Sequence, residues 1–160
     1  MLQLLMDKLQ IFKFRQNNYL LIMIRDEIST HLTYHVQTGY LGYNKISDIY
    51  DLMPECVYKG KAYRAIVGCD ENSLNNDPFK NLYWSKSLEG IKHYLSLTKD
   101  SSKYVIVEAM VDGVDVNLAF DVLNKEYSSK GKSERNNPHA LEEEILVIDF
   151  IELKVVSVIK

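Results

Sequence analysis

The amino-acid sequence predicts an α+β fold, and two observations carry that expectation. Up to about residue 53, apolar residues recur at helical spacing; from Pro54 onward, β-rich segments alternate with shorter helical ones. The chain has 160 residues, near the usual size of one domain and enough to bury a core. No repeat, low-complexity tract or interdomain linker interrupts it. Residues 1–160 therefore read as a single domain, with a helical part over 1–53 and a β-rich part over 54–160.

The elements follow in order. Asn17 and Asn18 suit caps for a helix whose apolar positions are Leu20, Leu21, Ile24, Ile28 and Leu32. Gly39 and Gly42 break the pattern, and a short helix from about Lys45 to Leu52 ends near Pro54. Val57 to Val67 reads as a hairpin that turns at Lys59-Gly60-Lys61, with a strand from Ala62 to Val67. Glu71 to Lys80, which contains Pro78, reads as a polar loop, and Leu82 to Ser85 as a short strand. Ser87 can cap a helix through about Leu97, with Leu88, Ile91 and Leu95 on one face. Tyr104 to Val111 is β-rich and meets a turn signal at Asp112-Gly113. Asn117 to Tyr127 reads as a helix with Leu118, Val122 and Leu123 inward, and Ser128 to His139 as a long polar loop with Gly131 and Pro138. Glu143 to Leu153 and Val155 to Ile159 close the chain as β-rich segments.

Composition narrows the function classes. Apolar residues make up 46% and charged residues 26%, ordinary for a soluble globular protein. A net charge of −3 supplies no basic stripe, so no direct nucleic-acid partner is expected. Cys56 and Cys69 match neither a zinc spacing nor a disulfide scaffold and read as ordinary thiols of a reducing compartment. Met1 to Phe14 is apolar but broken by Asp7, Lys8 and Lys13, unlike a signal peptide, and Tyr19 to Ile24 is too short to cross a bilayer. The expectation is a cytoplasmic protein with no membrane partner.

Three motif-like signals fail on inspection. Gly131-Lys132-Ser133 copies the end of a phosphate loop, but the glycine required five positions earlier is Glu126, and Glu134-Arg135-Asn136-Asn137-Pro138 follows where an apolar helix should begin. No Gly-x-Gly-x-x-Gly is present to support a Rossmann site. His31 and His35 lie one helical turn apart, but no third ligand and no intervening zincin glutamate accompany them, so they read as ordinary helix histidines and no metal is expected.

Three other segments carry chemistry together. In Ala62-Tyr63-Arg64-Ala65-Ile66, strand alternation puts Tyr63 and Ala65 on one face and Ala62, Arg64 and Ile66 on the other. An arginine among apolar neighbours must reach solvent or an anion, and its rigid fork suits a phosphate or carboxylate; an ion-paired surface arginine is the plainer reading. Tyr83-Trp84-Ser85-Lys86-Ser87 places two serines where a strand meets a helix, a junction that exposes hydroxyls and free N–H groups; Ser87 suits the helix cap whether or not Ser85 is functional. In Glu142-Glu143-Glu144-Ile145-Leu146, alternation places Glu142 and Glu144 on one face, about 7 Å apart along the strand. Solvated acids at a strand start are the plainer reading there; a carboxylate pair after a polar loop is the functional one.

An arginine strand, a Ser-x-Ser strand–helix junction and a Glu-x-Glu strand, in that order, resemble the Arg-Ser-Glu class of mono-ADP-ribosyltransferases, which includes bacterial toxins and small phage-encoded enzymes. Tyr63-Arg64 resembles the family's aromatic-arginine strand. Trp84-Ser85-Lys86-Ser87 resembles its Ser-Thr-Ser segment with lysine in the middle, and Glu142-Glu143-Glu144-Ile145-Leu146 resembles its Glu-x-Glu-Val-Leu segment. The similarity covers residues 57–160. Ala65 departs from it, since many relatives carry glycine after the arginine.

The resemblance implies an ADP-ribosyltransferase-like split β-sandwich, two small mixed sheets around an NAD cleft, with N-terminal helices. It implies NAD as co-substrate, contacted by Tyr63, Arg64, Ala65, Trp84, Ser85 and Ser87, with Phe79 or Tyr83 stacking on nicotinamide. Arg64 would hold a phosphate or ribose, Ser85 would bond the nicotinamide ribose and orient Glu144, and Glu144 would bond the ribose 2′-hydroxyl and stabilise charge at C1′. Glu142 would select an arginine side chain of a target protein, which the 128–141 loop would meet. A catalytically inactive binding protein of the same fold and an NAD glycohydrolase are the alternative readings.

Overall fold

The computed structural model describes residues 25–33, 35, 43–67, 83–97 and 104–159. Asn17, Asn18, Leu20, Leu21, Ile24, Gly39, Gly42, Cys69, Phe79 and the 71–80 loop lie outside the described residues. Helix α1 covers 25–33, with residue 35 again helical, and α2 spans Tyr43–Leu52. A 3-10 turn at Pro54–Cys56 leads into β1, Val57–Val67. There follow β2, Tyr83–Ser85; α3, Leu88–Leu97; β3, Tyr104–Asp115; α4, Val116–Ser129; a 3-10 turn at Ala140–Glu142; and β4, Glu144–Ile159. The fold is α+β. Its described strands form one antiparallel sheet in the order β1-β2-β4-β3, and β3 also pairs with β1, so the sheet closes on itself. This differs from the expected pair of small mixed sheets.

Strand alternation divides the core. Ala62 of β1, Trp84 of β2, Val107 and Ala109 of β3, and Ile145 and Val147 of β4 pack together, lining the inside of the closed sheet. The outer faces are covered by helices. Ile91 and Leu95 of α3 pack on Ala65 and Ile106. Ile28 and Leu32 of α1, Ile46 and Ile49 of α2, and Phe120 and Leu123 of α4 surround Val114 and Leu146. Full burial of each such side chain contributes about 1.5–3 kcal/mol.

Two expected turns are strand. Lys59-Gly60-Lys61 runs straight through β1, with Gly60 paired to Val111. The flanking lysines belong to the solvent side: Lys59 meets Asp112 at 2.7 Å and Lys61 meets Glu108 at 3.1 Å. Asp112-Gly113 likewise continues β3. A Cβ on Gly113 would stand 2.4 Å from the Leu146 carbonyl oxygen, so this glycine serves a close strand approach and not a reversal. The register between β3 and β4 slips at Ile106/Val107, Met110/Val111 and Asp112/Gly113. Such irregularities bend and twist strands, as a small closed sheet requires. The two expected terminal strands are the single strand β4.

The helices follow their sequence signals more closely. Asp115 caps α4, its Oδ1 accepting from Leu118 N at 3.0 Å. The buried stripe of α4 is Val116, Ala119, Phe120, Leu123 and Tyr127; Leu118, expected inward, falls off that stripe and is 38% exposed. Arg25 ties α1 to α4 and to the Pro54–Cys56 turn through Glu126 and through Glu55 at 3.0 Å. Arg135 bonds Ser29 O at 3.1 Å and Thr33 Oγ1 at 2.8 Å while lying over the Tyr127 ring. Among the described residues, no helix is long and apolar enough to cross a membrane.

Gly113→Ala should lower stability by about 1–3 kcal/mol. Gly60→Ala should cost less, because its nearest neighbour is the movable tip of Tyr58 at 3.0 Å; urea unfolding of both variants checks the order. Burial, reinforced by the Glu55 and Asp115 carboxylates, pushes the Cys56 thiol up to about 12. Iodoacetamide at mildly alkaline pH should therefore leave Cys56 unmodified in the native protein and alkylate it in concentrated guanidinium, as read by peptide mass spectrometry.

Candidate functional site

The three motif-bearing strands are consecutive neighbours in the sheet. Tyr63 of β1 is the cross-strand partner of Ser85, and Ser85 is the partner of Glu144. Directly opposed residues of an antiparallel pair share a face, so Tyr63, Ser85 and Glu144 form one row on the outer surface. Ser85 is buried and Glu144 is largely covered. Arg64 is the next residue along β1 and falls on the inner face with Ala62 and Ile66, as Trp84 does on β2. The hydroxyl and the carboxylate are thus brought together, and Arg64 falls one residue out of step with their row. Burial lowers Arg64 from the usual guanidinium range, with Tyr94 acting the other way.

The junction after β2 is a dense polar knot. Ser85 Oγ donates to Ser87 O at 2.9 Å and accepts from Ser87 N at 3.3 Å. Ser87 caps α3 as expected, its Oγ accepting from Gly90 N at 3.0 Å, and the same hydroxyl donates to the Glu143 carboxylate. Lys86 N donates to Glu143 O at 2.8 Å, while its ammonium reaches Asp115 Oδ2 at 2.8 Å. That hydrogen bond raises the Lys86 ammonium above its ordinary range despite partial burial. Helix α3 can come this close because residue 90 is glycine: a Cβ there would stand 2.2 Å from Ser85 Oγ and 2.3 Å from Glu142 O.

The glutamates are arranged differently from a simple strand. Glu142 ends a 3-10 turn, Glu143 adopts φ 50° and ψ 49°, and only Glu144 begins β4. The left-handed residue breaks the alternation that would have put Glu142 and Glu144 on one strand face. Glu142 Oε1 instead pairs with His139 Nδ1 at 2.7 Å, and Asn117 Nδ2 holds the turn by donating to Ala140 O at 2.8 Å. A polar groove of about 480 Å³ lies beside this turn, between Asn117, Asp121 and Asn124 of α4 and Arg135 and Asn137 of the following loop. Arg64, Ser85 and Glu144 are not among its lining residues.

Glu144 has a partner that motif reading missed. His35 Nε2 lies 2.9 Å from Glu144 Oε2, and the imidazole is 3% exposed. His31, one turn earlier, faces Glu27 at 3.3 Å, so the two histidines serve different carboxylates. Nothing in the sequence links positions 109 residues apart. Gly90 did leave a signal, since an isolated glycine inside a helical pattern commonly marks close packing. Among the described residues, no group of three or more His, Cys, Asp or Glu is placed to hold a metal ion. Tyr83 contributes its backbone to β2.

Ser87→Ala removes both the cap and the tether to Glu143 and should cost about 1 kcal/mol. An unchanged urea midpoint would mean that this hydroxyl does not hold the junction. Compared with protein-family models, curated proteins and solved structures, the chain matches none.

Proposed function

We propose that this chain is an NAD-dependent protein mono-ADP-ribosyltransferase with arginine as acceptor, working in the cytoplasm. The observation that carries the reading is the row Tyr63–Ser85–Glu144, in which segments far apart in sequence set a hydroxyl beside a carboxylate on adjacent strands. Chance acids at a strand start are usually solvated, whereas the Glu144 side chain is 14% exposed and hydrogen-bonded. The finer fold expectation, an NAD cleft in a split β-sandwich, belongs to this proposal.

In this chemistry Glu144 bonds the 2′-hydroxyl of the nicotinamide ribose and stabilises positive charge developing at C1′. The bond from C1′ to nicotinamide breaks, and its electron pair leaves with the nicotinamide nitrogen. Nitrogen of the acceptor guanidinium attacks C1′ and loses a proton to Glu142, which the His139 contact holds at the end of its turn. A guanidinium with a pKa above ~12 is a poor nucleophile until that proton leaves. Tyr63, Ala65 and Ser87 flank the same surface, with Ser85 at the ribose.

One observation favours the second reading, a binding protein of this fold without catalysis. Trp84 is buried in the inner cluster and Arg64 shares its strand parity, so neither belongs to the row that Ser85 and Glu144 form. Release of free nicotinamide from NAD separates the two, and labelling of protein bands in a lysate separates a transferase from an NAD glycohydrolase. Glu144→Gln should abolish both nicotinamide release and transfer. Glu142→Gln should retain release and lose transfer to arginine; transfer at the wild-type rate by this variant would refute the acceptor role of Glu142.

A further inference from the structure

The His35–Glu144 pair joins the end of α1 to the start of β4 and has no counterpart in the three motifs. His35 Nε2 and Glu144 Oε2 stand at hydrogen-bonding distance, and in its Nε2–H tautomer the imidazole donates to the carboxylate. The support beneath the imidazole is rigid. Ile28 and Leu32 are buried in the cluster formed by α1, α2 and α4. Arg25 of α1 bonds Glu55 and Glu126, and Arg135 bonds Ser29 and Thr33 of the same helix. The ring therefore reaches Glu144 from a helical segment tied down at Arg25, Ser29 and Thr33. Ser85, the residue expected to orient Glu144, gives its hydroxyl hydrogen to Ser87 O.

We propose that His35 is the positioning residue for Glu144: by holding Oε2 it fixes the carboxylate rotamer and directs Oε1 toward the ribose 2′-hydroxyl. This deepens the transferase reading and rests on it. Reacting groups need placement within about 0.5 Å, and a misplacement of about 1 Å costs roughly 100-fold in rate. The effect falls on kcat, because the carboxylate matters most once charge develops at C1′.

The test compares wild type, His35→Ala and His35→Gln for nicotinamide release from NAD. His35→Ala should lose about 100-fold in kcat with KM for NAD within about twofold, and added imidazole should restore part of the loss. His35→Gln keeps an N–H donor and should stay within about tenfold of wild type. Wild-type turnover by His35→Ala overturns the proposal. So does an equal loss in both variants with KM rising in step, the mark of a merely structural role. An independent arm uses proton NMR: the wild type should show a downfield imidazole N–H resonance that disappears in His35→Gln and moves upfield in Glu144→Gln. A resonance unmoved by Glu144→Gln overturns the pairing, and this arm together with His35→Gln decides the matter if His35→Ala does not fold. A wild type that releases no nicotinamide sinks the transferase reading and with it the role of His35 in turnover, while the resonance still reports on the pair. Failure of the His35 variants alone to behave as stated sinks only the positioning role.

Discussion

Closing four antiparallel strands on themselves leaves room inside for one narrow column of side chains, and much of the molecule answers to that constraint. The buried members of the column are mostly alanine and valine, together with Trp84, whose ring lies 5.4 Å from that of Phe150 at the edge of the cluster. Small interior residues let β1, β3 and β4 curve around it. The register slips in β3 and the bare backbone at Gly113 are the local devices that permit the curvature. With the inside filled, every other apolar position on the strands must be covered from without. Helix α3 covers the β1–β3 side, and α1, α2 and α4 cover the region of Val114 and Leu146.

The candidate site sits where these two coverings meet. Ser85 and Glu144 lie between the start of α3 on one side and the end of α1 on the other, and both helices send polar groups to the seam. Lys86 reaches across to Asp115, which is nearly buried and also caps α4. Removing Lys86 would leave the Asp115 carboxylate without its cation in a poorly solvated place, whereas Lys86 itself keeps access to solvent. The Glu143 carboxylate engages the cap of α3 while its backbone receives Lys86 N. Strand β2, of which Tyr83–Ser85 are described, is thereby held on both flanks. Rigid support of this kind is what an arrangement of reacting groups demands, whichever substrate it serves.

Helix positions and the motif strands were readable from sequence because they depend on local signals. Ser87 is a short-range cap, and the spacing of Ile91 with Leu95 is a property of one helix. The errors have a common origin. Lys59-Gly60-Lys61 and Asp112-Gly113 carry turn-forming residues, but here their glycines and charges answer to neighbouring strands, which no local window contains. The alternation assumed for Glu142 and Glu144 failed because one residue, Glu143, takes a left-handed backbone. Convergence of Ser85 and Glu144 followed from strand order, and the inward turn of Arg64 followed from its parity within β1. The sequence alone could supply that parity but not which face the site would occupy.

The bond between His35 and Glu144 also carries a consequence in time. Its two ends are separated by 109 positions, so the imidazole is made well before its carboxylate partner. During synthesis the segment that bears His35 emerges before β4. Until β4 docks against β2 and β3, neither the row with Ser85 nor the imidazole contact exists. The seam that joins Ser85, Glu144 and His35 therefore exists only once β4 has closed the sheet.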